Sequence, residues 1–246
     1  PDYIKITELS EPDPKCTSRL KGQGLDLSNI SLVNENFSLS DLRDADLSQA
    51  NLMGALLYYA DIANANLSNT NLKTANLARA DLSQANLKGA NLSQANLWRT
   101  NLRNANLRNT DLDQANLSQA NLKGANLRNA DLRNANLSQA NLKGANLKDV
   151  KLDGAILCHT TMPDGGKVYS NCKNADLFDQ DLAGANLAGA DLSQANLEGA
   201  NLRNANLSGA INITCDQIAS AIIGKDTKLP AYINLTRSKN STSECK

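Results

Sequence analysis

A chain of 246 residues with 41% hydrophobic but only 3% aromatic content must fill its core with Leu and Ala rather than large rings. Lys plus Arg equals Asp plus Glu, 25 each, which argues against the basic excess of a generic nucleic-acid binder and against the acidic surface of a DNA mimic. The longest apolar run, Ala55-Leu56-Leu57-Tyr58-Tyr59-Ala60, is too short to span a bilayer.

Residues 1–25 carry Pro12, Pro14, Gly22 and Gly24 and read as an irregular segment that caps the repeats from residue 26 on. Pro1 is not an initiator residue and no signal peptide follows it. The sequence therefore reads as a processed or truncated product whose targeting segment lies elsewhere.

From 26 to 210 one period dominates. Leu or a substitute recurs every five residues, from Leu32 and Phe37 to Leu157, and the same phase returns from Leu177 to Leu207. A small residue, mostly Ala, sits two before each, with Asn or Asp between. On an α-helix five residues advance about 500°, so successive leucines would not share a face. On a flat strand the side-chain period is two, so an odd repeat would alternate faces. The pattern requires a backbone that turns a corner once per repeat, with Ala and Leu inward and Asn or Asp outward. The second corner residue is often Gly or Asn (Gly54, Gly89, Asn104, Gly124), which suits the positive φ of a type II turn over Leu-x-x-Ala. Repeats ending in Ser83-Gln84, Ser118-Gln119 and Ser138-Gln139 lack that residue, and a type I-like turn is predicted there.

The word Ala-Asn-Leu-Lys-Gly-Ala-Asn-Leu, at Ala120 to Leu127, resembles the pentapeptide-repeat family of cyanobacterial type, and the resemblance covers about residues 26–210. It implies an all-β solenoid: a right-handed quadrilateral β-helix with twenty residues per coil, coils about 4.8 Å apart, and about eight coils in a rod of roughly 40 Å.

The array is interrupted over 158–172, where Pro163-Asp164-Gly165-Gly166 predicts a turn within a bulging loop. Cys158 and Cys172 flank this loop. A disulfide between them is geometrically sensible, the alternative being two reduced structural thiols. If formed, it places the protein in an oxidising compartment such as a periplasm or thylakoid lumen; reduced thiols fit a cytoplasmic location. Cys215 with Cys245 is a second pairing, leaving Cys16 over. One His and no CxxC pair make no zinc site of the usual spacing. Cys158 beside His159 invites a nucleophile–base reading, but neighbouring positions on a turn rarely converge and no third member is evident. No catalytic, cofactor-binding or metal residue is expected. Past Ala210, Thr214-Cys215-Asp216-Gln217 reads as a capping box opening a helix near 215–223 with Gly224 as its stop, within a C-terminal cap over 211–246 that ends in a mobile tail.

At twenty residues per coil, one surface column holds Ser38, Tyr58, Ala78, Trp98 and Ser118, with Tyr59, Arg79 and Arg99 beside it. Tyr58, Tyr59, Arg79, Trp98 and Arg99 form the candidate interaction face, since aromatic and Arg side chains concentrate binding energy; tolerated exposed rings are the alternative. Two further columns are basic: Arg103, Lys123, Lys143, and Lys88, Arg108, Arg128, Lys148. They suit an anionic partner, or a solvated face that discourages edge pairing. The sequence thus predicts a non-enzymatic scaffold that binds a protein partner or itself, with no small-molecule substrate and no nucleic acid expected. The alternatives are a topoisomerase-protecting DNA mimic, which zero net charge disfavours, and a repeat domain of a larger membrane-associated protein.

Overall fold

The protein is described by a computed structural model covering residues 23–233, 235–237 and 243–245. Most of the N-terminal segment expected over 1–25 lies outside the described residues.

Within each run of repeats, parallel bridges link outward residues twenty positions apart, as in Asp46↔Asn66↔Asn86↔Asn106, and in the last coil Asn201 and Asn206 pair with Ile222 and Lys228 instead. One bridging residue per repeat alternates with one turn, so a coil has four short sides. Side A carries the outward column Asp41 to Asn141, side B Asp46 to Asn146, side C Asn51 to Lys151, and side D Asn36 to Ile156.

A repeat with Asn or Asp at its outward position can satisfy all five of its backbone amides. In a typical word, Asn66 N donates to Ala45 O (2.9 Å), Leu47 N to Asn66 O (2.7 Å), Gln49 N to Ser68 O (2.9 Å) and Ala50 N to Leu47 O (3.2 Å). The fifth amide, on the first corner residue, is taken by the outward side chain: Ser48 N donates to Asp46 Oδ1 at 2.9 Å. This explains why Asn or Asp stands there, since only a short side-chain acceptor reaches an amide two residues on. The carboxamides also bond one another between coils, Asn86 Nδ2 donating to Asn66 Oδ1 at 3.1 Å and Asn106 Nδ2 to Asn86 Oδ1 at 3.0 Å. Inside, Leu47, Leu67, Leu87 and their counterparts are fully buried, each worth about 1.5–3 kcal/mol. Where Thr replaces the inward Ala, its hydroxyl finds a carbonyl, as Thr100 Oγ1 donates to Leu77 O at 2.8 Å.

The Ser-Gln corners correct the predicted turn. Gln84, Gln119 and Gln139 have φ of 61°, 60° and 60°, the same region as Asn104 at 57°. The cause is the ladder: Gln84 N donates to Arg103 O at 2.8 Å, and a different turn would forfeit that bond in a stacked neighbour. A left-handed residue costs about 1–2 kcal/mol, comparable to a buried amide left unpaired.

The interruption is deeper than a bulge. β1 (Thr160–Thr161) pairs antiparallel with β2 (Lys167–Val168), and Gly165 N donates to Met162 O in the connecting turn. Among the described residues, no backbone hydrogen bond joins the coil 146–158 to the repeats starting at Asn171. The core accordingly divides into two clusters, one from Leu32 to Ala155 and one from Cys158 to Ile233. Leu147, Leu152 and Leu157 of the last coil before the break are only partly buried.

At the far end α1 (Cys215–Ser220) has the predicted capping box, Thr214 with Gln217. It stops at Ala221 rather than Gly224, because Ile222 returns to the ladder: its N donates to Ala200 O and its O accepts from Leu202 N. The helix therefore replaces one side of a further turn, and Gln217 Nε2 donates to the carbonyls of Leu192 (2.9 Å) and Ala195 (2.7 Å). Beyond it, β3 (Leu235–Arg237) pairs antiparallel with β4 (Ser243–Cys245). Among the described residues no helix is long and apolar enough to cross a membrane.

Candidate interaction surface

The edge between sides D and A is built by three stacked corners. Tyr59 N donates to Ala78 O (3.1 Å) and Arg79 N to Trp98 O (2.8 Å), which sets Tyr58-Tyr59, Ala78-Arg79 and Trp98-Arg99 one above another. The small Ala78 leaves space over which Arg79 spreads. Its guanidinium lies 5.3 Å from the Tyr59 ring centre and 4.8 Å from that of Trp98, and it donates a hydrogen bond to the Tyr59 hydroxyl. Arg99 covers Trp98 at 4.6 Å and donates from Nε to Gln119 Oε1 at 2.6 Å. Tyr58 and Tyr59 meet edge to face at 4.6 Å. The hydrogen bond to the Tyr59 hydroxyl, first among its causes, raises the Arg79 pKa. Cation–π contacts at exposed sites are worth about 0.5–1 kcal/mol each and fix side chains that would otherwise be mobile. The structure thus brings together all five predicted residues.

Two more belong with them. Leu39 and Leu56 are 45% and 42% exposed beside the tyrosines. Leu56 occupies an outward position where the coils on either side have Asn36 and Asn76. It gives up the carboxamide that caps the first corner amide, as Asn96 Oδ1 caps Trp98 N at 3.2 Å, and puts an aliphatic group on the surface instead. The signal was available as an apolar residue at a polar position of the repeat.

Along the same edge, Cys158 and Cys172 form a disulfide with Cα atoms 4.6 Å apart, across the break between the two stacks. With Cys158 so bonded there is no thiol for His159 to activate. The His159 ring stacks on Tyr169 at 5.5 Å, its Nε2 contacts Lys167 Nζ, and burial, then Lys167, lowers its pKa. Cys215 is also disulfide-bonded, while Cys16 and the side chain of its predicted partner Cys245 lie outside the described residues. Among the described residues no cluster of three His, Cys, Asp or Glu is placed to hold a metal ion.

The repeating coil that carries this edge has counterparts among known proteins. The pentapeptide-repeat pattern matches residues 23–57, 57–94, 85–124, 120–157 and 170–209, and the chain belongs to that family. Among solved structures it is similar to HetL of Nostoc sp. strain PCC 7120, a pentapeptide repeat protein involved in heterocyst differentiation regulation, at 35% identity over 87% of each chain and a TM-score of 0.47. It is also similar to a pentapeptide repeat protein of the Arabidopsis thaliana thylakoid lumen, at 30% identity over 48% of this chain and 71% of that one, TM-score 0.20. QnrB1, a plasmid-mediated fluoroquinolone resistance protein, is 18% identical over 84% of each chain, TM-score 0.38. No curated protein matches the chain.

Proposed function

We propose that the chain is a non-enzymatic scaffold that docks a protein partner on the D–A edge, through Leu39, Tyr58, Tyr59, Arg79, Trp98 and Arg99. The observation that carries this is the ring–cation–ring stack beside two leucines exposed at the surface. Large rings held rigidly lose little entropy on binding, and an arginine already positioned over them pairs readily with a partner carboxylate. The right-handed hand of the coil rests on family membership. The Cys158–Cys172 disulfide supports residence in an oxidising compartment, a periplasm or thylakoid lumen.

The DNA-mimic alternative is less well supported by the charge layout. Residues 88–151 hold ten Lys and Arg and four Asp, ten minus four giving a net +6 in the middle of the rod. That sign opposes imitation of a polyanion.

The test is quantitative capture of binding proteins by the immobilised wild-type chain, by Tyr58→Ala/Trp98→Ala, and by Ser68→Ala on another corner. Loss of two hot-spot rings lowers retention of the specific partner about thirtyfold, from roughly 2 kcal/mol, and the Ser68 variant retains it. Sedimentation of both chains over a concentration range checks whether the partner is a second copy. Equal retention by the double variant, with its melting temperature preserved, rejects the edge.

A further inference from the structure

The two basic columns border one side of the coil. Arg103, Lys123 and Lys143 stand on the A–B corner, where Gln84 N bonds Arg103 O and Gly124 N bonds Lys143 O. Lys88, Arg108, Arg128 and Lys148 stand on the B–C corner, where Gly89 N bonds Arg108 O and Asn129 N bonds Lys148 O. Between the rows runs the side B column of neutral carboxamides, Asn86, Asn106, Asn126 and Asn146. The strip is about four coils tall, roughly 15 Å at the strand spacing. Sides A and C differ: Asp81 lies on the first, Asp111 and Asp131 on the second.

Pairing separates these cations from the others in the same coils. Arg133 and Lys151 reach Asp131 at 2.7 and 3.6 Å, and Arg99 lies on the Trp98 ring. Among the described residues six of the seven strip cations have no ion pair, and the seventh, Arg128, meets Asp149 only at 4.0 Å. The Nε of Arg108 is shut off from solvent without an acceptor. The charge is also banded along the rod: residues 26–81 hold seven Asp and Glu against three Lys and Arg, a net −4 next to the +6 of 88–151. Zero net charge therefore conceals a local excess.

We propose that side B of these coils docks on an anionic lipid bilayer. Two parallel rows of unpaired cations on one flat side meet a planar array of phosphates together. A convex duplex would lie along the uncharged amides between the rows. Clusters of four to eight Lys and Arg hold proteins to anionic membranes, each adding to the attraction. The amide column adds no carboxylate, although Asp149, on the B–C corner beside Lys148, is an acidic side chain bordering the strip. Because the D–A edge is diagonally across the coil from the B–C corner, a protein seated on side B keeps its ring-bearing edge free.

The test is flotation of the full chain with vesicles of phosphatidylcholine alone and with about one-third phosphatidylglycerol, at low and at roughly 0.5 M salt. Binding appears only with phosphatidylglycerol and disappears at high salt. Arg108→Gln/Lys123→Gln/Arg128→Gln lowers it about a hundredfold, while Arg133→Gln, whose cation is already paired, leaves it unchanged. No binding to the anionic vesicles, or equal binding by the triple variant, overturns the proposal. So does displacement from the vesicles by a stoichiometric DNA duplex, which would reassign the strip to nucleic acid.

Discussion

Replacing both Cys158 and Cys172 by serine tests the division of the coil into two stacks. Among the described residues two hydrogen bonds cross the break beside the disulfide, Gln139 Nε2 donating to Asp176 O at 2.7 Å and Asn171 Nδ2 to Ala155 O at 3.3 Å, and Ile156 packs against the second core cluster. Each hydrogen bond is worth about 1 kcal/mol. Closing a loop of this length contributes about 3 kcal/mol in the chain-entropy model, a factor of about a hundred in an opening equilibrium. Because no backbone ladder crosses the break, the loss falls on the second stack and is not shared with the first. Hydrogen exchange read by mass spectrometry locates it: amides of 171–213 lose up to a hundredfold protection, and those of 60–130 hold theirs. The serine pair is preferred to a reductant, which would also open the disulfide at Cys215. Equal loss in both regions, or none in either, would refute the two-stack reasoning.

Other outcomes rest on single positions. Leu117 is fully buried, so Leu117→Asp costs more than about 4 kcal/mol, whereas Ser118→Asp at the corner stays within about 1 kcal/mol; comparable melting temperatures would refute the register. Gly124 and Gly144 share φ near +70°, but an added Cβ at 124 would sit 2.4 Å from Asn104 Oδ1 and at 144 meets nothing within 4 Å. Gly144→Ala therefore loses about 1 kcal/mol from conformation alone, and Gly124→Ala loses a similar amount once the exposed Asn104 side chain swings aside, as chemical denaturation will check. Burial lowers the His159 pKa from 6.5, so the unfolded chain takes up the proton first. Stability present above about pH 6.5 then declines as pH falls towards the folded value, and His159→Gln removes that part of the slope in thermal melts.

Much of this architecture was legible because one word, repeated in phase, leaves few backbones that bury both Ala and Leu. The stacking of Tyr58, Arg79 and Trp98 followed from the twenty-residue coil, although that number came from family resemblance and not from spacing. The role of the outward Asn was not legible: its bond to a backbone amide two residues on depends on the turn's shape. The Ser-Gln corners misled because local preference at Gln84 is overridden by the hydrogen bond its amide makes to the next coil. The interruption at 158–172 was legible, but the loss of the backbone ladder across it was not. Leu177 resumes the same phase as Leu157, and phase alone does not reveal whether the coils on either side are bonded. Gly224 looked like a helix stop, yet Ile222 had already left the helix to pair with the coil below.

The dependence of every surface column on twenty-residue stacking can be measured directly by crosslinking. Ser48 and Ser68 stand on the same corner in consecutive coils, where Gln49 N bonds Ser68 O at 2.9 Å. At a spacing of about 4.8 Å, Ser48→Cys with Ser68→Cys falls within disulfide reach, and peptide mapping should find that bond in high yield. Ser48→Cys with Lys73→Cys, one corner further round, should stay reduced. The reverse yields would show that side chains twenty residues apart are not neighbours, and the edge and the strip would dissolve with them.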